Sequence, residues 1–237
     1  MSNFAGKKVL VLGGSRGIGA AIVRRFAAEG ARVTFTYASS ADAAQALAVE
    51  TGSTAELTDS ADRDAVIARV RACGPLDVLV VNSGVALFGD ALEQEPDAVD
   101  RLLRINVQAP YHAAVEAARQ MPAGGRIIVI GSVNGDRMPL PGLAAYAMSK
   151  SALQGLARGL ARDFGSRGIT VNVVQPGPID TEMNPADGPM KELMHSFLAI
   201  KRHGSADEVA GMVAWLSGPE AGFVTGAMHT IDGAFGA

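Results

Sequence analysis

A glycine-rich turn between an apolar strand and an alanine-rich helix is the sequence feature that most restricts the fold. The apolar run 9–12 predicts a buried parallel strand. Gly13, Gly17 and Gly19 follow directly, and an amphipathic segment continues to Gly30, where we expect a helix to end. A strand, a glycine turn and a helix in this order are typical of the first βαβ unit of a dinucleotide-binding fold.

Each glycine of this turn has a specific expected role. Gly13 permits the tight turn, Gly17 lets backbone N–H groups approach a pyrophosphate, and Gly19 lets the helix pack closely against the strand. The helix N-terminus then directs unpaired N–H donors and the positive end of its dipole toward the anion. We therefore predict a nucleotide site here. An ordinary tight turn is the alternative interpretation of the same glycines.

Strand and helix patterns alternate along the rest of the chain, which predicts a parallel sheet covered by helices on both faces. The further expected strands are residues 31–37, 54–57, 76–81, 126–130, 169–174 and 227–231. The further expected helices are residues 41–50, 62–72, 97–120, 144–164 and 205–216. We expect the long helix 97–120 to be interrupted near Pro110. The fold class is α/β, with a doubly wound parallel sheet of about seven strands.

Composition limits the partners and the location. The 237 residues fit one domain with a sizeable core, and the net charge of −3 offers no basic surface for nucleic acid. Residues 1–8 lack an apolar signal region, and no apolar stretch is long enough to span a bilayer. We therefore expect a cytoplasmic protein with no nucleic-acid, membrane or metal partner. Cys73 is the only cysteine, which excludes an intrachain disulfide and favours a packing role for its thiol.

Two side chains of the predicted helix 144–164 have a spacing that suits acid–base chemistry. Tyr146 and Lys150 lie four residues apart, on one face of the helix. A free phenol has a pKa near ~10, and a nearby ammonium together with a positively charged nicotinamide lowers that pKa. Ser132 follows the fifth strand, where open α/β sheets bind ligands, so its hydroxyl could hold a substrate oxygen beside Tyr146. A surface pair on a helix is the structural alternative for Tyr146 and Lys150.

Two further polar stretches have both a structural and a functional interpretation. Asn106 lies in the apolar segment 102–107, where a buried amide needs hydrogen-bond partners and either supports the fold or holds a water. Asn82, Ser83 and Gly84 end the fourth strand, at the edge where a cofactor would lie. A simple turn after a strand explains that second stretch equally well.

The end of the predicted second strand bears on the choice of cofactor. An NAD-specific site usually has Asp or Glu at this position to bind the ribose 2′-OH. Residues 36–39 read Thr-Tyr-Ala-Ser and contain no acid, whereas Arg16 in the glycine turn supplies a cation. A 2′-phosphate would meet Arg16 and hydroxyl groups without repulsion from a carboxylate. We predict a preference for NADPH over NADH.

Taken together, these motifs make the whole chain resemble the short-chain dehydrogenase/reductase family, single-domain Rossmann enzymes that use nicotinamide cofactors. The resemblance covers nearly the full length, residues 1–237, as one NADP(H)-binding domain. The matching motifs are the glycine turn 13–19, the ordered set Asn106, Ser132, Tyr146 and Lys150, and the turn at Pro176 and Gly177. It implies that Tyr146 is the general acid/base and that Ser132 positions the carbonyl. It also implies that Lys150 holds the nicotinamide ribose and lowers the Tyr146 pKa, and that Asn106 anchors the proton-relay water.

The resemblance further implies a set of residues around NADP(H). Asp59 would contact the adenine, Asn82 and Gly84 would border the ribose, and Ile179 and Thr181 would cover the nicotinamide amide. The complete expected set is Gly13, Ser15, Arg16, Gly17, Ile18, Gly19, Tyr37, Ser39, Asp59, Asn82, Gly84, Tyr146, Lys150, Pro176, Gly177, Ile179 and Thr181. The chain departs from the family pattern at two places. Leu12 stands where Thr is usual and loses a hydroxyl that braces the turn, and Ser83 stands where Ala is usual.

The leading functional hypothesis is an NADP(H)-dependent oxidoreductase that transfers a hydride between nicotinamide and a small carbonyl or alcohol substrate. The second hypothesis is binding of cyclic-di-GMP, with or without turnover, because residues 131–139 and 227–235 resemble a family member described as sequestering this messenger in biofilm dispersal. Arg137 is then a candidate ligand at the substrate mouth, with a surface role as the alternative, while a solvated helix face explains Arg158 and Arg162 better. A complete catalytic set favours the enzyme, because a sequestering protein gains nothing from it.

Two expectations concern assembly and substrate access. The Ala- and Gly-rich face of residues 144–165 can pack closely against a second copy, and the resemblance implies a homotetramer. The segment 183–200 contains Met183, Met190, Met194 and Phe197, which suggests an adaptable apolar lid.

Overall fold

A seven-stranded parallel sheet forms the centre of residues 4–237, the part of the chain that this computed structural model describes. The strands, in chain order, are β1 (Lys8–Leu12), β2 (Arg32–Tyr37), β3 (Thr54–Leu57), β4 (Val78–Val81), β5 (Arg126–Ile130), β6 (Thr170–Pro176) and β7 (Met228–Ile231). Their order across the sheet is β3-β2-β1-β4-β5-β6-β7. The predicted α/β class and the doubly wound sheet of about seven strands are confirmed. Residues 1–3 of the expected signal-free stretch lie outside the described residues.

Helices connect the strands and cover both faces of the sheet. They are α1 (Gly17–Ala28), α2 (Ala41–Thr51), α3 (Arg63–Cys73), α4 (Pro96–Leu103), α5 (Ala109–Gln120), α6 (Ala144–Phe164), α7 (Lys191–Phe197) and α8 (Ala206–Ser217). The outer bounds of the predicted helices are met to within one or two residues, the predicted helix 97–120 is divided into α4 and α5, and α7 was not predicted. None of the helices in residues 4–237 combines the length and the apolar character needed to cross a bilayer.

Alternating side chains of the central strands build two separate apolar clusters. Val9 and Val11 of β1 join Phe26 of α1 on one face, whereas Leu10 and Leu12 face the other cluster. Successive side chains of a strand point to opposite faces, so a strand buried on both sides must be apolar throughout. This is why the uninterrupted apolar runs in the sequence mark the middle of the sheet.

The long helical connection between β4 and β5 contains a π-helical turn, Arg104–Gln108, between α4 and α5. The Ala109 N–H donates to the carbonyl of Arg104, five residues back. Pro110 follows in the first turn of α5, where its missing N–H costs little. The expected interruption therefore lies one turn before Pro110, and it contains Asn106. Single π-turns of this kind are frequent at functional sites.

The strand order creates a crevice at one end of the sheet. From β1 the chain proceeds outward to β2 and β3, and it then returns to place β4 on the opposite side of β1. The connections after β1 and β4 therefore lead away from each other. Ligands of open α/β sheets bind at this switch point, beyond the carboxyl ends of the strands.

Candidate active site

A cavity of about 740 Å³ opens at the carboxyl ends of the strands, at the switch point between β1 and β4. Its size is in the range of small-molecule and cofactor sites. Every residue of the expected NADP(H) set lines it except Gly19, and so do Ser132, Tyr146 and Lys150 of the expected catalytic set. Gly19 and Asn106 lie behind the wall rather than in it. The structure thus brings together residues that are up to about 170 positions apart in the sequence.

The glycine turn after β1 is too crowded for side chains at Gly13, Gly14 and Gly19, and the contacts at Gly13 and Gly19 involve backbone atoms. Gly13 has a φ of +77°, and an added Cβ would lie 2.7 Å from the backbone of Ser83. A Cβ on Gly19 would lie 2.1 Å from the carbonyl oxygen of Gly13. Glycine is therefore required for the tight turn at Gly13 and for the close packing of α1 at Gly19.

Two side chains brace this turn in place of the hydroxyl that Leu12 lacks. The Thr36 hydroxyl accepts a hydrogen bond from the Gly13 N–H at 2.9 Å. The Asn82 side-chain amide donates to the Gly13 carbonyl at 2.6 Å. Thr36 of β2 and Asn82 at the end of β4 thus brace the turn, as the missing hydroxyl at Leu12 would do. The hydroxyl of Ser83, the other departure, is buried and has no hydrogen-bond partner among the described residues.

The N-terminus of α1 is open toward the cavity. Arg16, its N-cap, makes no side-chain capping bond, and the first turn contains no acidic residue. The N–H groups of this turn therefore lack a side-chain acceptor from α1 itself, and the positive end of the helix dipole faces the cavity, where Glu182 is the acidic residue close to Gly17. A pyrophosphate fits these donors, and the exposed Arg16 guanidinium adds a free positive charge at the same edge, since the structure describes no ion pair for it.

The far end of the cavity is formed by the ends of β2 and β3. Tyr37 and Ser39 line it from the β2 side. Asp59 accepts a hydrogen bond from the Ala61 N–H at 2.9 Å and pairs with Arg101 of α4, whose Nη2 lies 3.2 Å from its carboxylate. Asp59 is thus held in the wall by its own loop and by a cation from a different element.

Tyr146 and Lys150 lie side by side on α6, as their spacing predicts. The Lys150 Nζ lies 5.8 Å from the centre of the Tyr146 ring and donates to the carbonyl of Ile130 at 3.0 Å. Burial lowers the pKa of Lys150 to about 8, because the charged ammonium is poorly solvated. The ammonium thus reaches both β5 and the phenol ring.

Burial also raises the pKa of Tyr146 above its ordinary value, and a hydrogen bond with the Ser132 side chain partly opposes this. We expected Lys150 to lower the Tyr146 pKa. In the protein by itself burial is the largest effect and raises this pKa, whereas the expectation concerns the site with nicotinamide bound and stays a prediction for that state. Tyr146 is therefore held protonated and can donate a proton from its hydroxyl.

Ser132 lies just beyond β5 and faces Tyr146 across the cavity wall. Its hydroxyl accepts a hydrogen bond from the Asn134 N–H at 3.1 Å, which caps the short 3₁₀ turn Val133–Gly135. The same hydroxyl interacts with the Tyr146 side chain. Two hydroxyl groups thus converge on one point of the cavity, where a carbonyl oxygen could be bound by both.

Asn106 is used structurally through its side chain. It is 1% exposed, its Oδ1 accepts from the Val85 N–H at 2.9 Å, and its Nδ2 donates to the Val85 carbonyl at 2.9 Å and to the Ser149 hydroxyl at 3.0 Å. The amide therefore joins the loop after β4 to α6 and has no free donor for a water. Of the two interpretations from the sequence, the structural one describes this side chain.

The segment after β6 closes the remaining side of the cavity. Pro176, Gly177, Ile179 and Thr181 line it, as does Met183. The segment 183–200, the predicted apolar lid, is partly helical because it contains α7. Met194 of this helix also lines the cavity. Sequence patterning missed α7 because its seven residues are too few to show a clear helical period.

The base of this lid is held by aromatic contacts. Phe197 packs edge-on against Phe235, with ring centres 5.5 Å apart, and does not line the cavity. The His195 Nε2 lies 2.9 Å from the His203 Nδ1. Burial, and to a smaller extent the neighbouring His195, lower the pKa of His203, which favours the neutral form of the His203 ring.

The candidate ligands for cyclic-di-GMP do not form one site. Arg137 donates to the carbonyl oxygens of Phe235 and Ala237, at 2.8 Å and 2.7 Å, and does not line the cavity. Its Nη1 is bound to the backbone after β7 and the residue is exposed, so the surface role describes it better than a position at the substrate mouth. Arg158 and Arg162 are exposed on α6, away from the cavity. A solvated helix face describes them, as the sequence suggested.

A comparison with known protein families agrees with this geometry. A short-chain dehydrogenase family model, described as enoyl-(acyl carrier protein) reductase, matches residues 13–235. The chain belongs to the short-chain dehydrogenase/reductase family. The match extends from the glycine turn to the loop after β7 and so covers every element that contributes to the cavity.

Three members of this family illustrate the range of its relatives. The cyclic-di-GMP-binding biofilm dispersal mediator protein of Escherichia coli (strain K12) is 73% identical over 237 residues, which is 100% of both chains. The 3-oxoacyl-[acyl-carrier-protein] reductase FabG of the same organism is 38% identical, over 98% of each chain. A crystal structure of BdcA in complex with NADPH has a TM-score of 0.98 and 74% identity, and the match covers 99% of this chain and 96% of that one.

Several cavity residues were not found from the family motifs. Thr36 and Arg101 act through contacts across 23 and 42 positions of sequence, and Glu182 lies close to Gly17 in the glycine turn. The sequence shows that no acid follows Thr36, but it does not indicate the role of the Thr36 hydroxyl. Arg101 has no sequence signal, because it stands on a mostly polar face of α4.

Proposed function

We propose that the protein is an NADP(H)-dependent oxidoreductase that reduces a small carbonyl compound or oxidises the corresponding alcohol. The observation that carries this proposal is the pairing of the Ser132 and Tyr146 hydroxyl groups beside Lys150, in a cavity that ends at the uncapped N-terminus of α1. One end thus suits a pyrophosphate and the other suits a carbonyl oxygen. The reductases among the relatives point the same way.

NADP(H) is the proposed cofactor, and residues 1–237 form the single domain that binds it. The N–H groups at the start of α1 would hold the pyrophosphate, and Arg16, Tyr37 and Ser39 would surround the 2′-phosphate. The residues at the end of β6 and after it, from Pro176 to Thr181, would lie against the nicotinamide. The bound NADPH of the BdcA crystal structure, at 74% identity, supports this choice.

In the reductive direction NADPH supplies the hydride to the carbonyl carbon, and the protein supplies the proton. The substrate carbonyl accepts hydrogen bonds from Ser132 and Tyr146. As the C=O π electrons move to oxygen, Tyr146 gives up its phenolic proton to that oxygen. Lys150 and Ser132 then stabilise the phenolate, and Tyr146 regains a proton from solvent. The raised pKa of Tyr146 keeps this donor protonated at neutral pH.

Binding of cyclic-di-GMP is the second proposal, because the relative that is 73% identical carries that ligand in its name. The cavity presents the cations Arg16, Arg101 and Lys150, of which Arg101 is paired with Asp59 and Lys150 is buried. A phosphate of the messenger would therefore compete with NADPH for Arg16. We further propose a cytoplasmic homotetramer, with the outer face of α6 as one contact.

The variant Tyr146→Phe tests the reductase proposal. It removes one oxygen and keeps the ring, so the fold and NADPH affinity should be retained. We expect turnover of any accepted carbonyl compound to fall by roughly two to four orders of magnitude. The measurement is NADPH oxidation with a panel of aldehydes and ketones. The matched control is Tyr111→Phe, which removes the same atom from a half-exposed tyrosine outside the cavity and should keep wild-type activity.

Titration of cyclic-di-GMP into the same proteins, with and without NADPH, separates the two proposals. Messenger binding does not need the phenolic proton, so Tyr146→Phe should leave it unchanged. We expect measurable wild-type turnover and weak or absent messenger binding. Full turnover by Tyr146→Phe would contradict the catalytic assignment, and tight messenger binding by a wild type that reduces none of the compounds would favour the second proposal.

A further inference from the structure

A buried glutamine on β6 contacts the backbone of Ser132. The last backbone bond between the two strands here runs from the Gly131 N–H to the Val174 carbonyl, at 2.7 Å. One residue further, the Gln175 side-chain amide donates to the Ser132 carbonyl at 3.2 Å. The side chain of Gln175 thus extends the pairing of β5 and β6 by one hydrogen bond, at the position where Ser132 enters the cavity.

The orientation of the Gln175 amide is fixed by two acceptors. Its Nε2 also donates to the Asp136 carboxylate at 2.6 Å, so both amide hydrogens are used. Gln175 is 1% exposed, and its Oε1 has no hydrogen-bond partner among the described residues. An unpartnered buried carbonyl opposes folding, and an apolar residue would pack here without that cost. The glutamine is therefore better explained by the groups to which it donates than by packing.

The same network reaches the helix that carries Tyr146. Asp136 accepts a second hydrogen bond, from the Gln154 side chain on α6, at 2.5 Å. The Ser151 hydroxyl of α6 donates to the carbonyl of Gly135 at 2.5 Å. The short segment from Ser132 to Asp136 is thus attached on one side to β6 and on the other to α6. These attachments define the separation between the Ser132 and Tyr146 hydroxyl groups.

We propose that Gln175 is a positioning residue, which holds Ser132 against Tyr146 through the Ser132 carbonyl and through Asp136 and Gln154. It touches neither the cavity nor the reacting atoms, since it does not line the cavity wall. Its effect on chemistry follows from the contact between Ser132 and Tyr146. That contact lowers the Tyr146 pKa, against the larger effect of burial. Loss of Gln175 lets Ser132 move away and weakens this contact.

This inference rests on the proposed reductase function only for its kinetic test. The variant Gln175→Leu removes both donors and keeps a side chain of similar size. We expect kcat to fall on the order of tenfold to a hundredfold, because small displacements of a catalytic group have effects of this size. NADPH affinity should stay within about twofold, because Gln175 does not line the cavity. The main-chain pairing of Gln175 with Thr230 of β7 does not use the side chain, so the end of β6 should keep its position in the variant.

The pH dependence of kcat distinguishes a positioning role from a merely structural one, because a loss of stability alone would not shift it. Reduction needs protonated Tyr146, so kcat falls as pH rises through the Tyr146 pKa. With the Ser132 contact weakened, the pKa of Tyr146 increases, and the alkaline limb of the profile should move to higher pH in Gln175→Leu. Lys150 and Asp136 are the charged groups near this pair, and both stay in place in the variant.

The matched control is Asn172→Leu on the same strand. Asn172 is also a fully buried amide, but its side chain joins β6 to the backbone of Val224 and Ala227, away from Ser132. We expect Asn172→Leu to lose stability but to keep the wild-type kcat and the wild-type position of the alkaline limb of the pH profile. Gln154→Ala, a change at a partly exposed position of α6, serves as the milder test and should shift kcat and the limb in the same direction as Gln175→Leu.

An NMR titration of ring-labelled tyrosine measures the Tyr146 pKa directly, and it tests the positioning role of Gln175 even if no substrate is found. The chain has three tyrosines, and Tyr146→Phe identifies the signal of Tyr146. A higher Tyr146 pKa in folded Gln175→Leu or Gln154→Ala, and an unchanged one in Asn172→Leu, would support the proposal. An unchanged Tyr146 pKa in both of the first two variants, or equal shifts in all three, would overturn it. Absence of wild-type turnover would instead contradict only the reductase function.

Discussion

Arg16 is the residue on which the choice between NADPH and NADH depends most directly. It stands at the start of α1, lines the cavity together with Tyr37 and Ser39, and has no ion pair among the described residues. A hydrogen bond to a charged group contributes about 1.5–3 kcal/mol. We therefore expect Arg16→Ala to weaken NADPH binding by roughly ten- to a hundredfold and to change NADH binding little.

Calorimetric titration of both cofactors into wild type and Arg16→Ala measures this. Arg63→Ala is the control, since it removes an exposed arginine that lies on α3 outside the cavity. Wild-type affinity for NADH equal to or higher than that for NADPH would contradict the predicted preference. An equal loss of both cofactors in Arg16→Ala would assign Arg16 to the shared pyrophosphate instead.

At the scale of residues, the sequence indicates which side chains can do chemistry, but it does not indicate their hydrogen-bond partners. Ser132, Tyr146 and Lys150 were predictable as a group because each belongs to a motif with fixed chain spacing. The partners of Asn106 were not, since Val85 and Ser149 lie 21 and 43 positions away. The effect of burial on the Tyr146 pKa could not be predicted from the sequence for a related reason. Desolvation depends on all the atoms packed around the phenol, and sequence spacing does not describe them.

At the scale of elements, the N-terminus of α8 shows how a helix end is stabilised in this chain. The Ser205 hydroxyl accepts from the Glu208 N–H at 3.2 Å, and the Glu208 carboxylate accepts from the Ser205 N–H at 2.7 Å. Arg202 binds the same carboxylate through two nitrogens, at 2.7 Å and 2.9 Å. The Arg202 hydrogen bond, the largest cause, and the backbone bond of Ser205 lower the pKa of Glu208 to about 2.

The variant Glu208→Gln should therefore destabilise the fold in a pH-dependent manner. Because Glu208 is exposed, solvent screening limits the loss to at most about 1 kcal/mol, which is about 2–4 °C in Tm for a chain of this size. A carboxyl whose pKa is lower in the folded state stabilises the fold fully above its ordinary pKa of 4.5, and this contribution is lost as pH falls through about 2. The difference in Tm between wild type and variant should be full at neutral pH and smaller near pH 3.

Scanning calorimetry at the two pH values measures that difference. Glu220→Gln, at an exposed carboxyl for which the structure describes no ion pair, is the control and should show little change at either pH. A difference for Glu208→Gln that is the same at both pH values would show that its carboxylate charge does not act in this way.

Predictability of the elements followed their length and regularity. The strands and the long helices have strong periodic patterns, and their bounds were found to within one or two residues. The seven-residue helix α7 was missed. The π-helical turn Arg104–Gln108 lies before Pro110, the residue from which an interruption was predicted, and it contains Asn106, which is bonded to α6 and to the loop after β4.

At the scale of the whole molecule, the sheet and the site are consequences of the same chain order. Alternation of strand and helix predicts a parallel sheet, and the reversal of direction at β1 and β4 places the glycine turn beside Asn82. The sequence could predict that these groups share one edge of the sheet. It could not predict the width of the cavity or which side chains close it, since both depend on the packing of α7 and of the segment after β6.

Assembly of several copies is also a property of the whole molecule. We expect the outer face of α6 to form a contact between two copies. Gly155 and Gly159 lie one helical turn apart, and an added Cβ on either would meet no described atom within 4 Å. Backbones of two such helices could approach closely only while these positions stay small. We expect Gly159→Leu to lower the mass measured by light scattering from that of four copies toward that of two, and Gly159→Ala to retain the larger mass. Leu also favours a helix more than Gly, so unfolding of α6 does not explain a smaller assembly. A folded Gly159→Leu protein with the mass of the wild type would show that copies meet elsewhere.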